Sequence, residues 1–187
     1  MENIKIKLKL HKEWLNNNGG EQLDVENEVL SNITLIDEDL NTAIFSNTKF
    51  VSSIFRNLNL GGSAFFNCTF SLVNFENSFL RKCEFHQCKF INCTFSEDEI
   101  TKAEFYDASI EFCTFNKVKL GWSYFGDCFI SDTTFDSTEL DSLTFIDSKF
   151  NTVNFKDAKF NTAYPVKIND NINITSIDEL KASIQLQ

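Results

Sequence analysis

The chain has 187 residues, 27 of them Asp or Glu against 17 Lys or Arg, a net charge of −10, and it holds 21 Phe but a single Pro. That charge excludes a nucleic-acid binder, whose electrostatic footprint would be basic. The length predicts one domain, and no apolar run is long enough to cross a membrane as a helix.

At the start of the chain, Ile4, Ile6, Leu8 and Leu10 alternate with Lys5, Lys7 and Lys9, which reads as a short amphipathic strand. The same stretch is too short and too charged for a signal peptide, so the chain reads as cytoplasmic. A helical turn is expected over His11–Leu15 before Asn16-Asn17-Asn18-Gly19-Gly20 breaks it. Residues 1–27 are therefore assigned to an N-terminal strand and helical cap, covering an end that would otherwise expose unpaired strand groups.

From 28 to 162 the sequence keeps one register. Every fifth residue from Leu30 to Phe160 is large and apolar: 17 Phe, 7 Leu and 3 Ile. A step of five is not helical. Two residues before each of these stands a second column that stays small, as at Ala43, Ser53, Cys68 and Ala158, except at Leu58, Asp98 and Leu143. A large and a small residue spaced by two face the same side of an extended backbone. Like residues recur every twenty: 45, 65, 85, 105, 125 and 145 are Phe, and so are 55, 75, 95, 115, 135 and 155. Four sides then close one coil, with two Phe ladders on opposite walls. The first coil is expected to be irregular, because Glu28, Ile33 and Glu38 stand in the small column.

Units such as Cys68-Thr69-Phe70-Ser71-Leu72 and Ala158-Lys159-Phe160-Asn161-Thr162 resemble those of the pentapeptide repeat family. The resemblance implies an all-β, right-handed quadrilateral β-helix of about seven coils. The register is expected to end at Pro165, which would fill the next inward site and cannot donate to a ladder. Residues 163–187 read as an extended segment (Val166, Ile168, Ile172, Ile174) and a short helix. Ser176 and Glu179 form a capping box at its start. Its apolar stripe of Ile177, Leu180, Ile184 and Leu186 either covers the last coil or meets its copy in a second subunit. The resemblance implies a homodimer through this end.

Chemistry is sparse. All six cysteines, 68, 83, 88, 93, 113 and 128, occupy the small inward column, where a thiol packs as a small hydrophobe. Cys68 and Cys88 stack at a spacing that permits a disulfide. Asp98 is the one charged residue in that column after the first coil and must find donors or raise its pKa. The two histidines, His11 and His86, stand near no nucleophile motif, phosphate loop or metal spacing, so no enzyme, cofactor or metal site is expected.

Binding remains. Asp107, Asp127 and Asp147 share one outward corner, and Tyr106, Phe112, Trp122, Tyr124 and Phe129 fall in outward columns nearby; both sets are candidate contacts for a protein partner. The expectation is a non-enzymatic protein-binding solenoid. The alternative implied by the resemblance is a DNA mimic that binds DNA gyrase, as quinolone-resistance members do. Against it, the unbroken register leaves no room for the projecting loops that such members often carry.

Overall fold

The computed structural model describes residues 2–169 and 172–185. Its body is a β-solenoid of about seven coils, each of twenty residues and four sides. Wall A is a nine-stranded sheet beginning at Asp24–Glu26 and repeating at Ile44–Ser46, Ala64–Phe66, Glu84–His86, Glu104–Tyr106, Tyr124–Gly126 and Thr144–Ile146. Wall B has seven strands from Val29–Ser31 to Lys149–Asn151, and wall C six from Thr34–Ile36 to Thr134–Asp136. Wall D is held by single bridges, from Asp39 with Asn59 to Glu139 with Lys159. Pairing along the coils is parallel at an offset of twenty, as Phe85 with Phe105.

The inward columns explain why this closes. Phe45, Phe65, Phe85, Phe105 and Phe125 stack on wall A at 4.4–4.9 Å between ring centres, matching the strand spacing of about 4.8 Å. Phe75, Phe95 and Phe115 do the same on wall C at 4.6 Å. Edge-to-face contacts such as Phe85 with Phe90 tie one wall to the next.

The small column does more than leave room. Ser63 Oγ donates to the Leu40 carbonyl at 2.7 Å and accepts from the Ala43 N–H at 3.1 Å. Cys83, Cys88 and Thr138 donate to the carbonyl at the same spacing of 23 residues. Where the column carries a hydroxyl or a thiol, the corner thus satisfies backbone groups that its turn would leave unpaired. All six cysteines are buried free thiols.

Two expectations need correction. Residues Glu2–Leu15 form a helix, α1, and not a strand. Ile4 and His11 are buried while Ile6 lies exposed, so the face in use is the helical set Ile4, Leu8, His11. The helix lies across the first coil: Lys7 Nζ donates to the Asp24 carbonyl at 2.6 Å, and the Leu23 N–H to His11 Nδ1 at 2.9 Å. Gly20, at φ +74, lets the chain return beneath it; a Cβ there would sit 2.1 Å from the Leu10 carbonyl oxygen.

The first coil is regular, and it starts before Glu28, with Val25 already buried in the inward column. Glu28 and Glu38 are tolerated because they lie half-buried at the open end. At the far end the five-residue register is lost just before Pro165, and the chain continues as an extended piece. A three-residue slip brings Ile168 opposite Phe145, in the place that Pro165 would have taken. Strand Val166–Ile168 extends wall A in parallel, and Ile172–Ile174 then folds back antiparallel upon it.

Helix α2 (Ile177–Ile184) follows. Ser176 Oγ accepts from the Glu179 N–H at 3.2 Å, but the Glu179 carboxylate reaches one residue further back than expected, to the Thr175 N–H at 2.8 Å. Leu180 and Ile184 are buried within this one chain, while Ile177 is partly buried. Leu186 lies outside the described residues.

An acidic wall with an aromatic ridge

Outward positions on wall A and on its corner with wall B differ from the rest. They carry Asp24, Glu26, Glu84, Glu104, Asp107, Asp127 and Asp147, all exposed, and no Lys or Arg from Asp24 to Asp147. Most lysines and arginines of the coils stand on the other three walls, mixed with acids, while Lys82 and Lys102 stand at the corner of wall D with wall A and Lys167 on the last parallel strand of wall A; Arg56 with Glu76, Lys117 with Glu97 and Lys156 with Asp136 pair across neighbouring coils. Alternation decides this placement: the first and third residues of each three-residue strand face solvent, and the next turn residue forms the corner. Asp107, Asp127 and Asp147 occupy that corner at φ of 52°, 54° and 49°, a left-handed turn that Asp accepts at low cost.

Along the middle of the wall runs a ridge of rings. Phe66 stacks on His86 at 5.2 Å, His86 on Tyr106 at 5.1 Å, and Tyr106 meets Tyr124 at 5.3 Å with the planes tilted by 45°. The next position in the column is Gly126, and the Tyr124 ring lies over it, within 2.6 Å of where a Cβ would stand. Carboxylates brace the ridge: Tyr106 Oη donates to Glu104 Oε2 at 2.9 Å, and His86 Nε2 lies 3.3 Å from Glu84 Oε2. The Glu104 carboxylate raises the Tyr106 phenol to about 12, so it remains a hydrogen-bond donor.

The structure therefore brings together only part of the aromatic set. Tyr106 and Tyr124 share wall A, and Phe129 lies around the acidic corner on wall B. Phe112 and Trp122 stand on diagonally opposite corners, B to C and D to A, so the five do not form one patch. Both are more than half exposed, and both sit at positive φ, 55° and 59°, where bulky side chains are strained. Trp122 is partly covered by Tyr164 at 5.6 Å. Sequence reasoning missed Phe66 and His86, although the twenty-residue period applied to the outward column 66, 86, 106 contains the signal.

Other polar groups are spent internally. Asp98 accepts from the Ser78 N–H at 2.6 Å and from the Ser96 N–H at 2.9 Å, and burial raises it to about 7. His11 is buried, with its pKa pushed down by desolvation. Among the described residues no group of three His, Cys, Asp or Glu could hold a metal ion, and no helix is long and apolar enough to cross a membrane.

A closed, four-walled β-solenoid with one acidic wall is the class that this fold and surface define. Residues 68–97 match the family described as Pentapeptide repeats (8 copies), and the same five-residue unit and twenty-residue coil continue on both sides of that stretch. No curated protein matches it in sequence. Among solved structures it is similar to trypsin-treated QnrB1, a plasmid-mediated fluoroquinolone resistance protein, at 12% identity over 72% of this chain and 71% of that one, TM-score 0.45. It is likewise similar to Rfr23 of the cyanobacterium Cyanothece 51142, at 11% over 80% and 89%, TM-score 0.45. A third is a pentapeptide repeat protein of the Arabidopsis thaliana thylakoid lumen, at 15% over 87% and 90%, TM-score 0.24.

Proposed function

We propose that the protein is a non-enzymatic binding module whose contact surface for another protein is wall A. The observation that carries this reading is the ridge Phe66–His86–Tyr106–Tyr124 standing among the carboxylates of wall A and its corner with wall B. An exposed aromatic ridge and stacked like charges both cost free energy in the isolated chain; a partner recovers it. Six buried unpaired thiols suit a reducing compartment such as the cytoplasm. A homodimer at the C-terminal end would have to use residues outside Leu180 and Ile184, which the chain already buries. The test places a photocrosslinking residue at Phe66 or Tyr106, and for comparison at Arg56 on wall C, in extracts of the native host. Capture of one protein from wall A alone is expected; equal capture from wall C would overturn the assignment.

One observation favours the second reading, DNA mimicry toward DNA gyrase. The seven wall A carboxylates span six coil steps, about 29 Å, over which a single strand of duplex DNA carries about nine phosphates. The aromatic ridge through their middle has no counterpart in a phosphate backbone, which ranks this reading second. Titrating the protein into a gyrase supercoiling assay, with and without a quinolone, decides it: inhibition or protection that is lost in a triple Asp107→Asn, Asp127→Asn, Asp147→Asn variant supports mimicry, and no effect removes it.

A further inference from the structure

We infer that the occupant of wall A is an extended basic segment of the partner protein, lying along the coil axis. Its Arg or Lys heads sit in the two carboxylate columns and its remaining atoms lie against the ring ridge. This deepens the wall A reading and rests on it.

The ridge dictates the mode of contact. Phe66, His86 and Tyr106 stack with planes within 17° of parallel, so their faces are used on one another and their edges point out. Such a ridge offers van der Waals contact to aliphatic stems. It offers few faces for a cation to sit on. Charge is supplied beside it. Glu84 and Glu104 stand two residues before the ring column in their strands, about 7 Å to one side; Asp107, Asp127 and Asp147 stand at the corner on the other side. Long Lys and Arg stems bridge this combination, apolar along the stem and charged at the tip.

Length and sign agree. The carboxylates from the level of Glu84 to that of Asp147 span three coil steps, about 14 Å, which is four to five residues of extended chain. Between the levels of Glu84 and Asp147 the strands of the wall carry no Lys or Arg; Lys82 and Lys102 stand at its corner with wall D, and Lys167 on the strand added beyond Thr144. Glu84 and Glu104 face each other on paired strands, a like-charge repulsion that a cation placed between them relieves. Nucleic acid and anionic lipid are repelled by the same wall.

The probe is a short fluorescein-labelled peptide alternating Arg and Thr, which favours an extended chain and points its arginines to one side. It is titrated with the full-length protein at about 150 mM salt, where diffuse attraction is screened, and followed by anisotropy. The triple variant Asp107→Asn, Asp127→Asn, Asp147→Asn and the uncharged change Phe66→Ser with Tyr106→Ser should each weaken binding by about tenfold. Removing three charges elsewhere, with Asp132→Asn, Glu139→Gln and Asp157→Asn, should change it less than about twofold. Circular dichroism confirms that each variant keeps its coils.

Equal losses from the two charge triples would reduce the effect to net charge and overturn the inference. So would an unchanged affinity after ring removal, since a free polyamine would then bind as well as a peptide. A protein crosslinked at wall A through a segment without basic residues would sink this inference while leaving the wall A reading intact.

Discussion

At Asp98 a carboxylate fills a site of a column that in several other coils holds Ser or Thr, and the difference is a proton. Ser63 both accepts from a backbone N–H and donates to a carbonyl; an ionised Asp98 only accepts. Burial raises its pKa from 3.8 to about 7, so between those values the folded chain holds a proton that the unfolded chain has released. Stability contributed by this group is present at acid pH and is lost as pH rises from about 4 to about 7, on the order of 4 kcal/mol in all. Asp98→Ser should flatten the fall of urea-unfolding free energy between pH 5 and 8 and raise stability most at the alkaline end; an unchanged slope would show that Asp98 is not its source. The sequence already marked Asp98, because one charge in a column of small residues breaks a periodic rule. It could not show which backbone N–H groups would answer it.

The terminal elements were read less well than the coils, for a physical reason. The coils are specified together by 27 large apolar residues repeating one choice, whereas α1 rests on a few. Four apolar residues alternating with lysines fit a strand, yet Ile4, Leu8 and His11 also mark one helical face. Docking decided between them, through a contact whose partners lie twelve residues apart: His11 Nδ1 accepting from the Leu23 N–H. His11→Phe keeps a ring beside Trp14, which stacks on His11 at 5.6 Å, but removes that acceptor. A cost of about 1–3 kcal/mol and faster hydrogen exchange at the Leu23 amide are expected; unchanged exchange would sink the assignment of that bond as the latch. Desolvation lowers the pKa of His11, so the unfolded chain takes up its proton first. Attachment of α1 is therefore fully present above the ordinary histidine range and weakens as pH falls through it. Likewise Pro165 announced a break, but the three-residue slip that seats Ile168 depends on what can reach the wall, which no local pattern encodes.

Across the whole molecule stability is shared between neighbours. Phe105 stacks on Phe85 at 4.7 Å and on Phe125 at 4.4 Å, whereas Phe155 stacks on Phe135 alone at 5.0 Å. Phe105→Ala should cost about 3–5 kcal/mol and, by breaking the array in its middle, broaden the urea transition or split it. Phe155→Ala should cost less and leave one transition. Equal costs with equally sharp transitions would mean that the coils do not couple as nearest neighbours. The inward columns, and with them the four walls, were legible from the twenty-residue period. The gathering of acids on one wall was equally present in the sequence, but outward residues obey no packing rule. It emerges only when each is assigned to its wall.

The reversed strand Ile172–Ile174 at the end of wall A also gives the rod a direction. A second molecule arriving with its Asp24–Glu26 edge in the usual parallel sense would find a strand running the wrong way. Stripping α1 from two molecules would therefore leave head-to-tail growth blocked on this wall. Meeting start to start would instead be a two-fold pairing that closes on itself.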